Sequence, residues 1–198
     1  MTSFWLFLLI LFMISKCHIR LINPTPRSNA NNLDSGGFCG NVNRNGNQQI
    51  TTYNAGQTIQ VRWQEQVAHH PGSEYRIALS LNGTDTGFDS CILLNHIPQH
   101  TFGNTRTLEA TVTLPNVNCQ YCALQVIQFL PQDNGGCCTW LENGDNSCQG
   151  TSYRSCANVV LQGASKQRHE ISQCNQPDAW DYRLAGACDI YRYSESRV

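Results

Sequence analysis

Charge is what this sequence has least of. Asp, Glu, Lys and Arg make up 14% of its 198 residues, about half the share that is usual in soluble domains. The formal net charge is -1, so basic residues are not in excess. Because nucleic-acid binding usually requires a basic surface, we expect no nucleic-acid partner. Hydrophobic residues account for 40% of the chain, and this content together with a low net charge disfavours intrinsic disorder.

Long apolar runs are lacking as well. Residues 4–14 form one apolar run of 11 residues, whereas a membrane-spanning helix needs about 20. The run fits the core of a signal peptide, and the small residues Ser15 and Cys17 suit signal peptidase. We therefore predict a signal peptide over residues 1–17, cleavage before His18, and a secreted, extracellular protein with no membrane attachment after processing. A lipoprotein anchored at Cys17 fits less well, because Lys16 precedes that cysteine.

Cysteine, by contrast, is abundant. The chain has 11 cysteines, and removing the signal peptide would leave an even number of them, as a complete set of disulfides requires. Cys119 and Cys122 have the spacing of a zinc half-site, but in an oxidising compartment disulfides are the default. We expect structural disulfides whose connectivity the sequence does not determine, although Cys174 and Cys188 could pair and close a small C-terminal appendage.

Strand-like alternation dominates the middle of the chain, and no window has helical periodicity. Five segments are apolar at every second position or continuously apolar, namely residues 58–63, 75–81, 108–114, 122–130 and 155–161. This pattern predicts an all-β fold, an immunoglobulin- or fibronectin-III-like antiparallel β-sandwich with long loops and several disulfides. We assign residues 18–162 to the sandwich, with a long surface loop over 23–49, and residues 163–198 to a polar appendage that packs on the sandwich or stacks its aromatic rings on sugars.

Histidine at the expected new N-terminus points to metal chemistry. The α-amino nitrogen and ring of His18 could chelate one ion, and either His69 or His70, between two predicted strands, could add a third nitrogen. Nitrogen donors in a planar array favour Cu(II). His96 and His100 are poorer ligands, because Pro98 between them opposes the helix that would bring them together.

Several short motifs together resemble the lytic polysaccharide monooxygenases, most closely the auxiliary-activity families once called chitin- or cellulose-binding type-4 domains. They are His18-Ile-Arg-Leu, Pro24-Thr-Pro-Arg27, the His70-Pro71-Gly72 turn before Tyr75, Cys122-Ala-Leu-Gln-Val-Ile-Gln128 and Tyr153-Arg-Ser-Cys-Ala-Asn158. The resemblance spans about residues 18–162.

The resemblance implies a copper site whose metal ligands are His18, His70 and, in the axial position, Tyr153, with His69 as the alternative to His70. It also implies that Tyr153 and Gln125 are catalytic residues near the copper. Thr151 departs from the glutamine that some relatives carry there.

The activity implied is oxidative cleavage of a β-1,4-linked polysaccharide, chitin or cellulose, by a monomeric copper-dependent enzyme that uses an external electron donor. Two alternatives stay open: a non-catalytic glycan-binding module, and a copper-binding protein that uses the same ligands for transport. The Asp and Glu residues show no spacing that suggests the pair of catalytic carboxylates typical of a glycoside hydrolase. Asn82-Gly83-Thr84 is a glycosylation sequon in a predicted turn.

Overall fold

The computed structural model describes residues 19–29, 38–40, 42–65, 74–81, 84–98, 105–129, 152–163 and 174. Over these residues the chain forms strands and one short 3-10 helix, Phe88–Ser90. The strands are β1 (Ile19–Asn23), β2 (Ile50–Asn54), β3 (Thr58–Glu65), β4 (Glu74–Ser80), β5 (Ile92–Pro98), β6 (Arg106–Thr113), β7 (Cys119–Phe129) and β8 (Ser152–Gln162).

These strands form two sheets, which confirms the predicted β-sandwich. The three-stranded sheet has the order β1-β3-β6, and the five-stranded sheet has the order β2-β8-β7-β4-β5. All pairs are antiparallel except β2 with β8, which run parallel. The parallel pair is a departure from the fully antiparallel arrangement that we predicted.

Alternation of side chains explains how the two sheets pack. In β3 every second side chain is buried, at Ile59, Val61, Trp63 and Glu65, because successive residues of a strand point to opposite faces. These side chains meet those of the five-stranded sheet in one core. Its fully buried members include Ile77, Leu79, Leu124, Val159 and Leu161.

Three strands lie outside the segments that the sequence pattern selected: β1, β2 and β5. The predicted surface loop over residues 23–49 is also corrected in part, because Arg27 and Cys39 within it are buried. Both residues pack against the outer face of the five-stranded sheet. Arg27 donates through its backbone N–H to the carbonyl oxygen of Cys156 at 2.9 Å, and Cys39 forms a disulfide with Cys156.

Disulfides are confirmed, but one proposed pairing is wrong. The described cysteines form the pairs Cys39–Cys156, Cys91–Cys174 and Cys119–Cys122. Cys174 therefore bonds to Cys91 beside β5, and not to Cys188, and its side chain is buried in the main core. The close pair Cys119–Cys122 is a disulfide, as expected from the compartment, and not a zinc half-site.

Some predictions concern residues outside the described part of the chain. These include the signal peptide over residues 1–17, the sequon residue Asn82, the adjacent Cys137 and Cys138, and the aromatic residues after position 175. The division at residues 162 and 163 likewise stays a prediction. Among the described residues, the structure contains no helix with the length and apolar character that crossing a bilayer requires.

Candidate functional site

One end of the sandwich carries Tyr153 and the described residues nearest in sequence to the proposed histidine ligands. We call it the site end and define it by Ile19, Glu65 and Arg106 of the three-stranded sheet and Tyr75, Gln128 and Tyr153 of the five-stranded sheet. Each set of three forms a row of direct cross-strand partners. Hydrogen bonds from Tyr75 and Gln128 to the Glu65 carboxylate join the two rows across the core.

Tyr153 lies on the inner face of the five-stranded sheet at this end. It is the direct partner of Gln128 on β7, and its half-buried ring packs against the main core. Burial raises the pKa of the Tyr153 phenol above its usual value, because an apolar environment disfavours the charged phenolate. At neutral pH the residue therefore presents a protonated phenol at the site end.

The histidines proposed as ligands lie outside the described residues, but their chain neighbours are at the site end. His18 directly precedes Ile19 in the sequence, and Ile19 is the register partner of Glu65. Residues 66–73, which include His69 and His70, connect Glu65 at the end of β3 to Glu74 at the start of β4. The covalent attachment points of the three histidines thus fall at one end of the molecule, although their ligand roles stay predictions.

A hydrogen bond anchors the N-terminal strand to the same region. The backbone N–H of Leu21 donates to the Ser155 hydroxyl at 3.0 Å, in a buried position. Leu21 is two residues after Ile19 and Ser155 two residues after Tyr153, so the bond ties β1 to β8 close to the site end. The Arg20 side chain adds a bond to the Gln64 side chain at 3.1 Å.

Gln125 occupies a different face from Tyr153. Its direct partners are Ala78 and Cys156, and its Nε2 donates to the backbone carbonyl of Phe38 on the outer side of the sheet. Within the described residues its Oε1 atom has no hydrogen-bond partner. The structure thus separates Gln125 and Tyr153 by the thickness of the sheet, and the proposed role of Gln125 near a metal remains a prediction.

Sequence reasoning missed two residues that lie beside Tyr153 and Ile19, namely Gln128 and Glu65. Both are buried, with exposed fractions of 0% and 1%. A signal for both was present, because Glu65 is in phase with the apolar residues Val61 and Trp63, and Gln128 is in phase with the inward positions of β7. A polar residue at an inward position of a strand has to find a partner in the core.

The donor atoms proposed for the site suit copper. Two imidazoles and an amine would supply nitrogen, which Cu(II) prefers, and the phenol of Tyr153 would offer an oxygen donor beside them. Within the described part of the chain, no three His, Cys, Asp or Glu side chains cluster as metal ligands would.

Comparison with known proteins finds distant structural likenesses. No protein-family model matches the chain, and no curated protein matches it in sequence. Among solved structures, it is similar to a CBM33 polysaccharide monooxygenase, with 10% identity, coverage of 73% of this chain and 100% of that chain, and a TM-score of 0.45.

Two further solved structures extend this picture. A chitin-binding domain from Burkholderia pseudomallei has 10% identity, coverage of 58% of each chain and a TM-score of 0.35. An AA10 lytic polysaccharide monooxygenase from Streptomyces lividans has 15% identity, coverage of 61% of this chain and 67% of that chain, and a TM-score of 0.31. At these values the likenesses assign neither a family nor an activity. The structure itself defines the class, a disulfide-bonded β-sandwich protein.

Proposed function

We propose that the mature protein is a secreted copper-dependent monooxygenase that oxidises a β-1,4-linked polysaccharide such as chitin or cellulose. One observation carries this proposal: the register of Ile19 with Glu65 puts the attachment points of His18 and of residues 66–73 at the end of the sandwich where Tyr153 lies. The three disulfides of the described residues support secretion, because they are typical of oxidising compartments.

The residues have separate tasks in this proposal. His18, through its amine and ring, and His70 would hold the ion, and Tyr153 would present its protonated phenol beside it. Copper, when bound, supplies one-electron chemistry with an oxygen co-substrate and an external reductant. The sandwich would support the site, because Tyr153 lies on a packed strand, and side chains on packed strands are held more precisely than those on long free loops.

The first test concerns the N-terminal ligand. The secreted protein should begin at His18, which intact-mass analysis or Edman sequencing measures directly. A matched variant that keeps one extra residue in front of His18 retains every side chain but removes the free amine from that position. We expect tight Cu(II) binding by calorimetry for the processed protein and a large loss for the extended one. A processed protein that begins elsewhere would refute the proposal.

The second test concerns activity and the second ligand. Copper-loaded protein, ascorbate and hydrogen peroxide or dioxygen should release oxidised oligosaccharides from chitin or cellulose, detected by mass spectrometry. His70→Ala should abolish tight copper binding and product release, whereas the control His96→Ala should retain both. Tight copper binding without products would indicate a copper-transport protein, and adhesion to chitin that survives chelation would indicate a binding module.

A further inference from the structure

A buried charged cluster joins the two sheets at the site end. The Glu65 carboxylate is 1% exposed. Its Oε2 accepts from Arg106 Nε at 2.6 Å, and its Oε1 accepts from Gln128 Nε2 at 3.3 Å and from the Tyr75 hydroxyl. The ring of Tyr75 is held in turn by Trp63, with 5.3 Å between ring centroids.

A carboxylate is unusual at position 65, because this position continues the row of buried apolar side chains of β3. A carboxylate loses its hydration when it is buried, and a well-packed apolar side chain at such a position is often as stabilising as a buried ion pair. Overall stability therefore does not account for Glu65. What distinguishes Glu65 from an apolar residue is that its hydrogen bonds have fixed directions. Its two oxygens accept from side chains on three other strands, β4, β6 and β7.

The position of Glu65 relates it to all three attachment points. It is the last residue of β3, and it accepts a hydrogen bond from Tyr75, the second residue of β4. This bond joins the two strands that residues 66–73 connect. It is the register partner of Ile19, which follows His18. It also accepts a hydrogen bond from Gln128, which is the direct cross-strand partner of Tyr153.

We propose that Glu65 is a positioning residue, which fixes the end of β3, the start of β4 and the Tyr153 row relative to one another and so supports metal binding at the site end. This inference deepens the proposed copper function and rests on it. Glu65 acts through its neighbours, and it need not touch the ion. Supporting residues of this kind tune the affinity and the electronic structure of a metal site, since they set the angles of the ligands.

The test compares Glu65→Gln with a matched control, Glu109→Gln. Glu109 is an exposed glutamate on β6, 58% exposed and 3.7 Å from Arg62. We expect the control to match the wild type. Groups bonded directly to metal ligands change the affinity about tenfold to hundredfold. Because Glu65 acts one contact further from the proposed ligands, we expect Glu65→Gln to raise the Cu(II) dissociation constant about tenfold and to change the electron paramagnetic resonance parameters. Circular dichroism and thermal unfolding measure the fold separately.

A second variant guards against a simple folding defect. Gln128→Leu removes the link to the Tyr153 row and leaves no unpaired charge, so it should change the copper spectrum in the same direction with a smaller loss of stability. The double variant Glu65→Gln/Arg106→Gln removes both charges, and it should recover stability without recovering copper affinity.

The outcomes separate the two proposals. If the processed wild type does not bind copper, both proposals are overturned. If the wild type binds copper and the Glu65 and Gln128 variants have its affinity and spectrum, the copper function stands and the positioning role is wrong. A loss of thermal stability with an unchanged copper spectrum would also overturn the positioning role, because it would show a structural role alone.

Discussion

The Arg27–Asp85 ion pair permits a quantitative prediction about how the N-terminal segment is held. Arg27 donates from both terminal nitrogens to the two oxygens of Asp85, at 2.7 and 2.6 Å, and its Nε donates to Asn158 at 2.8 Å. The Arg27 side chain is 0% exposed and that of Asp85 is 23% exposed. The pair is thus bidentate and buried mainly on the arginine side, where it fastens the segment after β1 to β8.

Replacing Asp85 by Ala removes the counter-charge and leaves the guanidinium inside the protein. Removing one partner of a buried ion pair costs about 3–5 kcal/mol, and we expect about 3 kcal/mol here because Asp85 keeps 23% of its side-chain surface in solvent. Arg44 adds to the effect. Burial and then the nearby Arg27 charge lower its pKa, whereas Asp85 raises it, so loss of Asp85 leaves two neighbouring cations without their shared carboxylate.

Urea unfolding under non-reducing conditions measures this change, with the midpoint and the slope reported separately. Glu109→Ala is the control, because its pairing with Arg62 is exposed and such pairs contribute about 0–1 kcal/mol. The double variant Arg27→Met/Asp85→Ala removes both charges and should be more stable than Asp85→Ala alone. An Asp85→Ala protein within about 1 kcal/mol of the wild type would refute the reasoning.

Three further predictions follow from other described contacts. Tyr153→Phe should retain copper binding by calorimetry and much of the activity, since the protonated phenol is at most a weak ligand; loss of copper would contradict an axial role. The double variant Cys91→Ser/Cys174→Ser should lower the free energy of unfolding by about 2–5 kcal/mol in urea titrations, and an unchanged value would mean that the pair does not cross-link the native protein. Burial first, and then the Glu65 hydrogen bond, raise the pKa of Tyr75 above 10.0, so the folded state keeps a proton that the unfolded state loses above that pH. The contribution of Tyr75 to the free energy of unfolding should therefore be fully present below pH about 10 and fall by about 1.4 kcal/mol per pH unit above it. Urea titrations from neutral to alkaline pH would detect or refute this decrease.

Strands with a regular apolar pattern were predictable from the sequence, including the edge strand β6, whereas the other three edge strands, β1, β2 and β5, were not. β3 alternates between exposed and buried side chains, so its apolar residues repeat at every second position. β2 is an edge strand whose side chains are exposed or half-buried throughout, so its sequence ITTYN carries no apolar alternation. β5 is the other edge of that sheet, and its pairing with β4 is interrupted by register shifts. The formation of β5 therefore depends on its pairing with β4, and the sequence pattern of β5 alone does not reveal this pairing.

For the candidate site, the inward position of Tyr153 was predictable from the sequence, whereas its neighbours Glu65 and Gln128 were missed; the ligand roles stay predictions. The position of Tyr153 on an inner face follows from its phase with Ala157, Val159 and Leu161. The pairing of Cys91 with Cys174 could not be predicted, because it joins residues 83 positions apart, and only the folded arrangement brings them together. The family resemblance also suggested a role for Gln125 near the metal, whereas its strand phase puts it on the outer face of the sheet.

The bonds of Glu65 also connect the register of β3 to the alignment of the two sheets, since its partners lie in both sheets. A shift of one residue in the pairing of a strand exchanges its two faces, so such a slip of β3 would turn Glu65 toward solvent and Gln64 toward the core. The bonds of Glu65 to Arg106 and Tyr75 would then be lost. Apolar residues such as Val61 and Ile77 favour burial but tolerate small displacements, because dispersion contacts have little directional preference. The ion pair and its hydrogen bonds therefore select one register, and that register decides where residue 18 and residues 66–73 join the sandwich.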